Sequence, residues 1–98
     1  MGRPRPLAGA VERLREAVAP PDLLSLVQRR WRPALGDRVA EEAWPASERG
    51  GVVTVRCRSA TWAAELTMMA DSLRSQLNAS LEGDRQVRGL KFAVGPFP

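Results

Sequence analysis

Apolar residues recur every three or four positions in the first part of the chain, as they do on one face of a helix. The first such stretch covers residues 7–18, and Pro20 ends it because the residue before a proline disfavours helix. Asp22 is suited to cap a second helix, which has Trp31 on its apolar side. Gly36 predicts the end of that helix, and a short helical continuation follows. The pattern therefore predicts two helices and a helical extension.

The period of the pattern changes to two in the middle of the chain. Residues 45–48 predict a short edge strand, residues 49–51 a hairpin turn, and residues 52–58 a second strand. This second strand has the inward positions Val53, Val55 and Cys57 and the outward positions Thr54, Arg56 and Arg58. Such alternation is typical of a strand with one buried face and one face exposed to solvent.

A long helix and a last strand complete the pattern. Ser59 is suited to cap a helix over residues 60–80. The apolar positions of this helix are Ala63, Leu66, Ala70, Leu73 and Leu77. The last strand covers residues 86–94, with Phe92 on one side and Lys91 on the other. The order α-α-β-β-α-β predicts an α+β fold, in which helices cover one face of a small three-stranded antiparallel sheet.

A chain of 98 residues has room for one domain with one modest core. Its apolar share of 44% and charged share of 27% exclude a disordered or fibrous chain. We expect a basic, flexible tail over residues 1–6, a single domain over residues 7–95 and a short tail over residues 96–98.

The residue inventory excludes most catalytic and metal chemistry. The chain has no His, no Tyr and a single cysteine, so it offers no Cys/His zinc site and no histidine-activated nucleophile. It also lacks the glycine-rich phosphate loop of an ATPase. We therefore predict a protein that is not an enzyme and has no metal, cofactor or small-molecule substrate. Because no apolar run could span a membrane and no secretion signal is evident, we expect it to be cytoplasmic.

Basic residues outnumber acidic ones by 15 to 11, for a net charge of +4. Nearly all are arginines, whose guanidinium groups pair well with phosphates. Arg56, Arg58 and Lys91 would share the outward sheet face if their strands are neighbours, and Arg29 and Arg30 would form a second basic strip. The pattern predicts a nucleic-acid surface. The alternatives are an acidic protein partner, a solvated strand face whose charges discourage edge pairing, and an arginine bias of the source genome.

None of the residues predicted to lie on the outward sheet face is aromatic. Bases would therefore have no side chain on which to stack, unlike those on an RNA-recognition sheet. Any contact there would be made to the sugar-phosphate backbone, and we expect it to tolerate sequence changes and to weaken with salt.

Trp62 lies at the start of the long helix, one position away from its apolar stripe. It either packs over the sheet edge or forms a protein-binding hot spot with Met68 and Met69, since methionine is an adaptable contact residue. Trp31, by contrast, falls on an apolar stripe and is expected in the core.

The stretch Ser-Ala-Thr-Trp-Ala-Ala-Glu-Leu at residues 59–66 is the most specific motif of the chain. Together with flanking landmarks, it resembles the DciA family of bacterial replication proteins over residues 7–95. The landmarks are Trp31, Gly36, Pro45, Gly51-Val-Val-Thr-Val, Leu73, Leu77-Asn78 and Val87-Arg-Gly-Leu-Lys-Phe-Ala-Val-Gly. The resemblance implies a KH-like domain that binds the DnaB-type replicative helicase and helps load it on single-stranded DNA without an ATPase motor.

The resemblance also assigns roles to residues of the motif. Trp62 and Glu65 correspond to the tryptophan and glutamate of the family motif, and with Met69 they form the predicted partner-binding group. No two glycines stand three positions apart, so the chain lacks the GxxG loop with which KH domains clamp RNA. An RNA- or ribosome-associated KH-like factor is the alternative function, and an interaction module with no DNA role is another.

Overall fold

The computed structural model describes residues 22–83 and 85–96, and this part of the chain contains four helices and three strands. The helices are α1 (Leu23–Leu35), α2 (Asp37–Glu42), α3 (Ala60–Met68) and α4 (Ala70–Ser80). The strands are β1 (Ala43–Arg49), β2 (Val52–Cys57) and β3 (Gly89–Val94). This confirms the α+β class. The predicted helix over residues 7–18 and the tail over residues 1–6 lie outside the described residues.

Helix α1 begins and ends where local chemistry predicts. The Asp22 carboxylate accepts a hydrogen bond from the backbone N–H of Ser25 at 2.8 Å, which lowers the pKa of that carboxyl. Gly36 adopts a φ of 96° and donates its N–H to the carbonyl of Arg32 at 2.9 Å, which closes the last turn. Trp31 is fully buried, as expected for its apolar stripe.

The sheet is mixed, with the order β1-β2-β3. β1 and β2 are antiparallel and are joined at the turn formed by Gly50 and Gly51, whereas β2 and β3 are parallel. The prediction of an all-antiparallel sheet is therefore wrong. Parallel strands need a long crossover connection, and α3 and α4 supply it. The alternation of apolar residues showed which side of β3 is buried, but it carries no information on the direction of the strand.

All buried side chains of the strands lie on the side covered by helices. They are Ala43, Pro45, Val53, Val55 and Cys57. The helices add Val27, Trp31, Leu66, Leu73 and Leu77 to the same core. The predicted inward positions of the second strand are confirmed, and the opposite face of the sheet contributes no buried residue among those described.

The predicted single helix over residues 60–80 is two helices. Ser59 caps α3, since its Oγ accepts the backbone N–H of Trp62 at 3.2 Å. Met69 then leaves helical geometry, with φ −106° and ψ 9°, and α4 begins at the next residue. The apolar spacing continues through this break because Leu66 before it and Leu73 after it both reach the core. Periodicity alone could not reveal the break.

A side-chain clamp holds the chain as it returns from α4 to β3. The amide oxygen Oδ1 of Asn78 accepts the backbone N–H of Val87 at 2.7 Å, and its Nδ2 donates to the carbonyl of Val87 at 2.9 Å. Val87 is buried, so both of its backbone groups need a partner from the protein. Asn78 therefore supplies the two backbone hydrogen bonds that a neighbouring strand would provide, just before β3 begins.

Replacing Asn78 by Ala removes both bonds and leaves two backbone groups without their partners. We expect a loss of about 1–3 kcal/mol in the free energy of unfolding, measured by urea denaturation. Gln76→Ala is the matched control because that amide is exposed on the same helix, and its effect should stay within about 0.5 kcal/mol. Equal effects of the two substitutions would contradict the clamp.

Burial of the Cys57 thiol generates a second prediction. Its side chain has no exposed surface, and desolvation raises the pKa of the thiol above its ordinary value of 9.0. In the unfolded chain the thiol ionises near that ordinary value, whereas in the folded chain it keeps its proton. The unfolded state is thus favoured as pH rises through 9, and stability that is complete below this pH is lost above it.

We expect the free energy of unfolding to fall above that pH by up to about 1.4 kcal/mol per pH unit. The chain has no His and no Tyr, so few other groups titrate in this range. Urea denaturation at a series of pH values measures the slope, and Cys57→Ala should abolish this component. An unchanged slope in that variant would show that another group is responsible.

Candidate nucleic-acid and protein interfaces

The strand register defines a surface that we call the open sheet face, on the side away from the helices. It consists of three rows across the strands. The rows are Trp44, Arg56 and Ala93; Ser47, Thr54 and Lys91; and Arg49, Val52 and Gly89. None of these residues is acidic and none is buried. The carboxylate of Glu48 borders the face, where it accepts the backbone N–H of Gly51 at 2.8 Å.

The structure brings two of the predicted DNA-binding residues to the open sheet face. Arg56 lies in the central strand, and Lys91 lies on the neighbouring strand one row away. The Arg56 guanidinium passes over Gly95, where a Cβ atom would lie 2.9 Å from Nη1. Within residues 22–83 and 85–96 Arg56 has no carboxylate partner, so its charge is not neutralised by an ion pair.

Arg58 has a different environment from Arg56. It follows the last residue of β2, and its Nε donates to the backbone carbonyl of Glu41 at 2.7 Å. Its backbone N–H donates to the carbonyl of Glu42 at 3.0 Å. Arg58 therefore fastens the end of β2 to α2 and is not part of the three rows, although its side chain is exposed.

Arg29 and Arg30 belong to a separate basic region. Both are exposed on α1, which packs on the helix side of the sheet. With Leu26 they line a cleft of about 380 Å³ against the end of α4, and Glu82 lines the same cleft. The two predicted basic regions thus lie on opposite sides of the sheet and do not form one surface.

A second surface, which we call the α3 surface, contains the predicted partner-binding residues. Trp62 and Glu65 are one helical turn apart, and Met68 follows after another turn. Met68 is 84% exposed, and Met69 at the helix break is 46% exposed. The Trp62 ring packs partly against the core, with the Arg38 guanidinium carbon 5.5 Å from its centroid. The α3 surface therefore combines a fixed aromatic ring with flexible, exposed methionines.

Trp44 was not among the predicted site residues, and the expectation that the outward sheet face has no aromatic residue is wrong. Trp44 pairs with Arg56 across β1 and β2 and is only half-buried. The first strand was predicted to begin at residue 45, but it begins at Ala43. Ala43 and Pro45 point into the core, so the residue between them points outward. That alternation was the signal that could have identified it.

A protein-family model described as Dna[CI] antecedent, DciA, matches residues 6–92. The chain belongs to the DciA family. The resemblance deduced from the motif at residues 59–66 is thereby confirmed. DciA is not a family of enzymes, and no catalytic activity is indicated.

Curated relatives support this membership of the DciA family. A UPF0232 protein of Mycolicibacterium smegmatis is 40% identical over 67 residues, which cover 68% of this chain and 34% of the relative. A UPF0232 protein of Rhodococcus jostii is 33% identical over 67 residues, or 68% of this chain and 35% of the relative. One of Mycobacterium tuberculosis H37Rv is 34% identical over 71 residues, or 72% and 37%. The chain spans about a third of the length of these curated relatives.

Two further observations concern the described part of this DciA chain. None of its helices is long and apolar enough to cross a membrane. Among the same residues, no group of three or more His, Cys, Asp or Glu side chains could hold a metal ion.

Proposed function

We propose that this protein is a non-enzymatic adaptor of bacterial DNA replication, which binds the DnaB-type replicative helicase and helps place it on single-stranded DNA. Membership of the DciA family is the observation that carries the proposal. The proposal locates the protein in the cytoplasm, where its two partners are found. It includes a KH-like fold, in which the missing GxxG loop leaves nucleic-acid contact to other surfaces.

The helicase contact is assigned to the α3 surface. Protein-binding hot spots combine an anchored aromatic residue with surrounding apolar contacts that exclude water. Trp62 supplies the anchored ring, and the exposed Met68 and Met69 supply adaptable apolar contacts. Glu65 is exposed on the same side and offers a carboxylate to a basic group of the partner.

The DNA contact is assigned to the open sheet face. Arg56 and Lys91 provide positive charge there, and none of its residues is acidic. Such a surface attracts the phosphates of a nucleic-acid strand whatever its base sequence. Its affinity falls as salt rises, because binding releases counterions. The other predicted DNA-binding residues do not lie on this face. Arg29 and Arg30 are on the other side of the sheet, and the exposed Arg58 is at its end, so they could contact DNA only along a separate path.

The two assigned surfaces lie on opposite layers of the fold. Helix α3 covers the core side of the sheet, whereas the open sheet face is on the other side. A helicase bound at α3 would leave the open sheet face accessible to a DNA strand. This arrangement favours an adaptor that holds both partners at once over one that exchanges them.

For the helicase contact, Met68→Asp places a charge on the α3 surface, at the last residue of the helix. We expect it to weaken binding at least tenfold, because a charged group would be buried in an apolar contact. Binding is measured by co-migration with the cognate helicase in gel filtration and by titration. Ala79→Asp is the matched control, since it adds the same charge at an exposed position of α4 and should bind normally.

Met68 is 84% exposed, so its substitution tests contact rather than folding. Trp62→Ala should also lose helicase binding, with circular dichroism used to verify that the variant is folded. The helicase assignment would be wrong if the folded wild-type protein does not bind the helicase at low salt. Normal binding by Met68→Asp would instead remove α3 from the contact.

For the DNA contact, the double variant Arg56→Ala/Lys91→Ala should weaken binding of a single-stranded oligonucleotide. Removal of two phosphate contacts should flatten the slope of log affinity against log salt by about 1.4 units. The control Arg32→Ala/Arg74→Ala loses the same charge from helices, where the two arginines face Asp37 and Asp71. Equal slopes for both double variants would mean that only the overall charge matters.

A further inference from the structure

We infer that Trp44 is a base-stacking residue and that a single strand of DNA crosses the open sheet face over it. This inference rests on the proposed DNA contact and gives it a site and a mode of binding. The register of β1 on β2 places Trp44 directly opposite Arg56. Side chains opposite each other in an antiparallel pair have Cβ atoms about 4.5–5.5 Å apart. The Cβ atoms of Trp44 and Arg56 are therefore close, whereas the Arg56 guanidinium extends over Gly95, on the other side of β2 from Trp44.

The Trp44 ring is both held in place and accessible. It packs in part against the core, yet it remains only half-buried on a face that also carries Arg56, Thr54 and Lys91. Within residues 22–83 and 85–96, its indole N–H has no hydrogen-bond acceptor. A partly exposed ring fixed by packing loses little conformational freedom when a base stacks on it, and its N–H can donate to a phosphate or base acceptor.

The other two tryptophans have different environments. Trp31 is fully buried, and its Nε1 donates to the carbonyl of Ala43 at 3.0 Å. The ring of Trp62 lies under the Arg38 guanidinium on the helix side of the sheet. Trp44 is thus the tryptophan that the fold presents on the open sheet face.

The surroundings of Trp44 are complementary to a nucleic-acid strand. Arg56 lies beside it, Lys91 lies one row further, and Arg49 follows in the last row. Between them, Ser47 and Thr54 add hydroxyl groups that can donate to phosphate oxygens. Because the three rows contain no carboxylate, no part of these rows repels the phosphates.

The Trp44 ring, together with the basic residues around it, favours single-stranded DNA over a duplex. A base in a duplex is already stacked on both sides and cannot lie on the indole, whereas an unpaired base can. Stacking on an aromatic side chain accepts any base, so the preference is for strandedness and not for sequence. Stacking also adds affinity that does not depend on counterion release, in contrast to the contribution of Arg56 and Lys91.

The test uses the full chain with an oligonucleotide of thymidines and a duplex of the same length. Trp44→Ala should weaken single-strand binding by about five- to 150-fold, the range for loss of one stacked base, with duplex binding little changed. The salt slope should remain that of the wild type, because no charge is removed. Trp44→Phe should restore most of the affinity, since it keeps a ring for stacking.

Tryptophan fluorescence provides a second measurement that does not depend on stability. Stacking of a base should quench part of the wild-type emission, and Trp62→Phe should retain this quenching. Trp44→Phe should bind the oligonucleotide with the quenching lost. Persistence of the quenching in Trp44→Phe would overturn the inference.

The other outcomes separate this inference from the proposed function. If the wild type binds single strands and Trp44→Ala binds them equally well, the stacking site is wrong while the proposed DNA contact stands. If the wild type binds no single strand at low salt, both are overturned. Tighter binding of a uridine oligonucleotide than of the thymidine one would overturn the assignment to DNA.

Discussion

The parallel pairing of β2 with β3 is the constraint on which both surfaces depend. Its register sets Lys91 beside Thr54 on the open sheet face. A shift of one residue would turn Lys91 toward the core and Phe92 toward solvent, because side chains alternate along a strand. The Asn78 clamp on Val87 fixes where the returning chain enters the sheet. One amide group in a helix therefore helps to decide which residues of β3 reach each surface.

The same pairing determines where α3 lies. Parallel neighbours require a crossover, and here the crossover consists of the two helices that cover the core. The surface with exposed Met68 and the surface with Arg56 are consequently separated by the sheet itself. Their separation follows from the topology of the fold. Both surfaces are held in place by the same core, which packs between the sheet and the helices.

The sequence was sufficient for features that depend on near neighbours. Asp22 and Ser59 cap helices as predicted, and β2 buries alternate residues, because each of these features involves side chains within three positions of one another. The direction of β3, the helix break at Met69 and the attachment of Arg58 to Glu41 depend on contacts between distant segments. Apolar periodicity is the same with or without them, so it could not predict them.

The three tryptophans show that the neighbours of a ring decide its role. Trp31 lies in the core with its N–H bonded to a carbonyl, which leaves it a structural role. Trp62 has a guanidinium over its ring and methionines nearby, an environment suited to a protein contact. Trp44 lies opposite Arg56 in the strand register on a face without carboxylates, an environment suited to a base and its phosphates. Residue type alone would have given all three the same role, and their positions in the fold distinguish them.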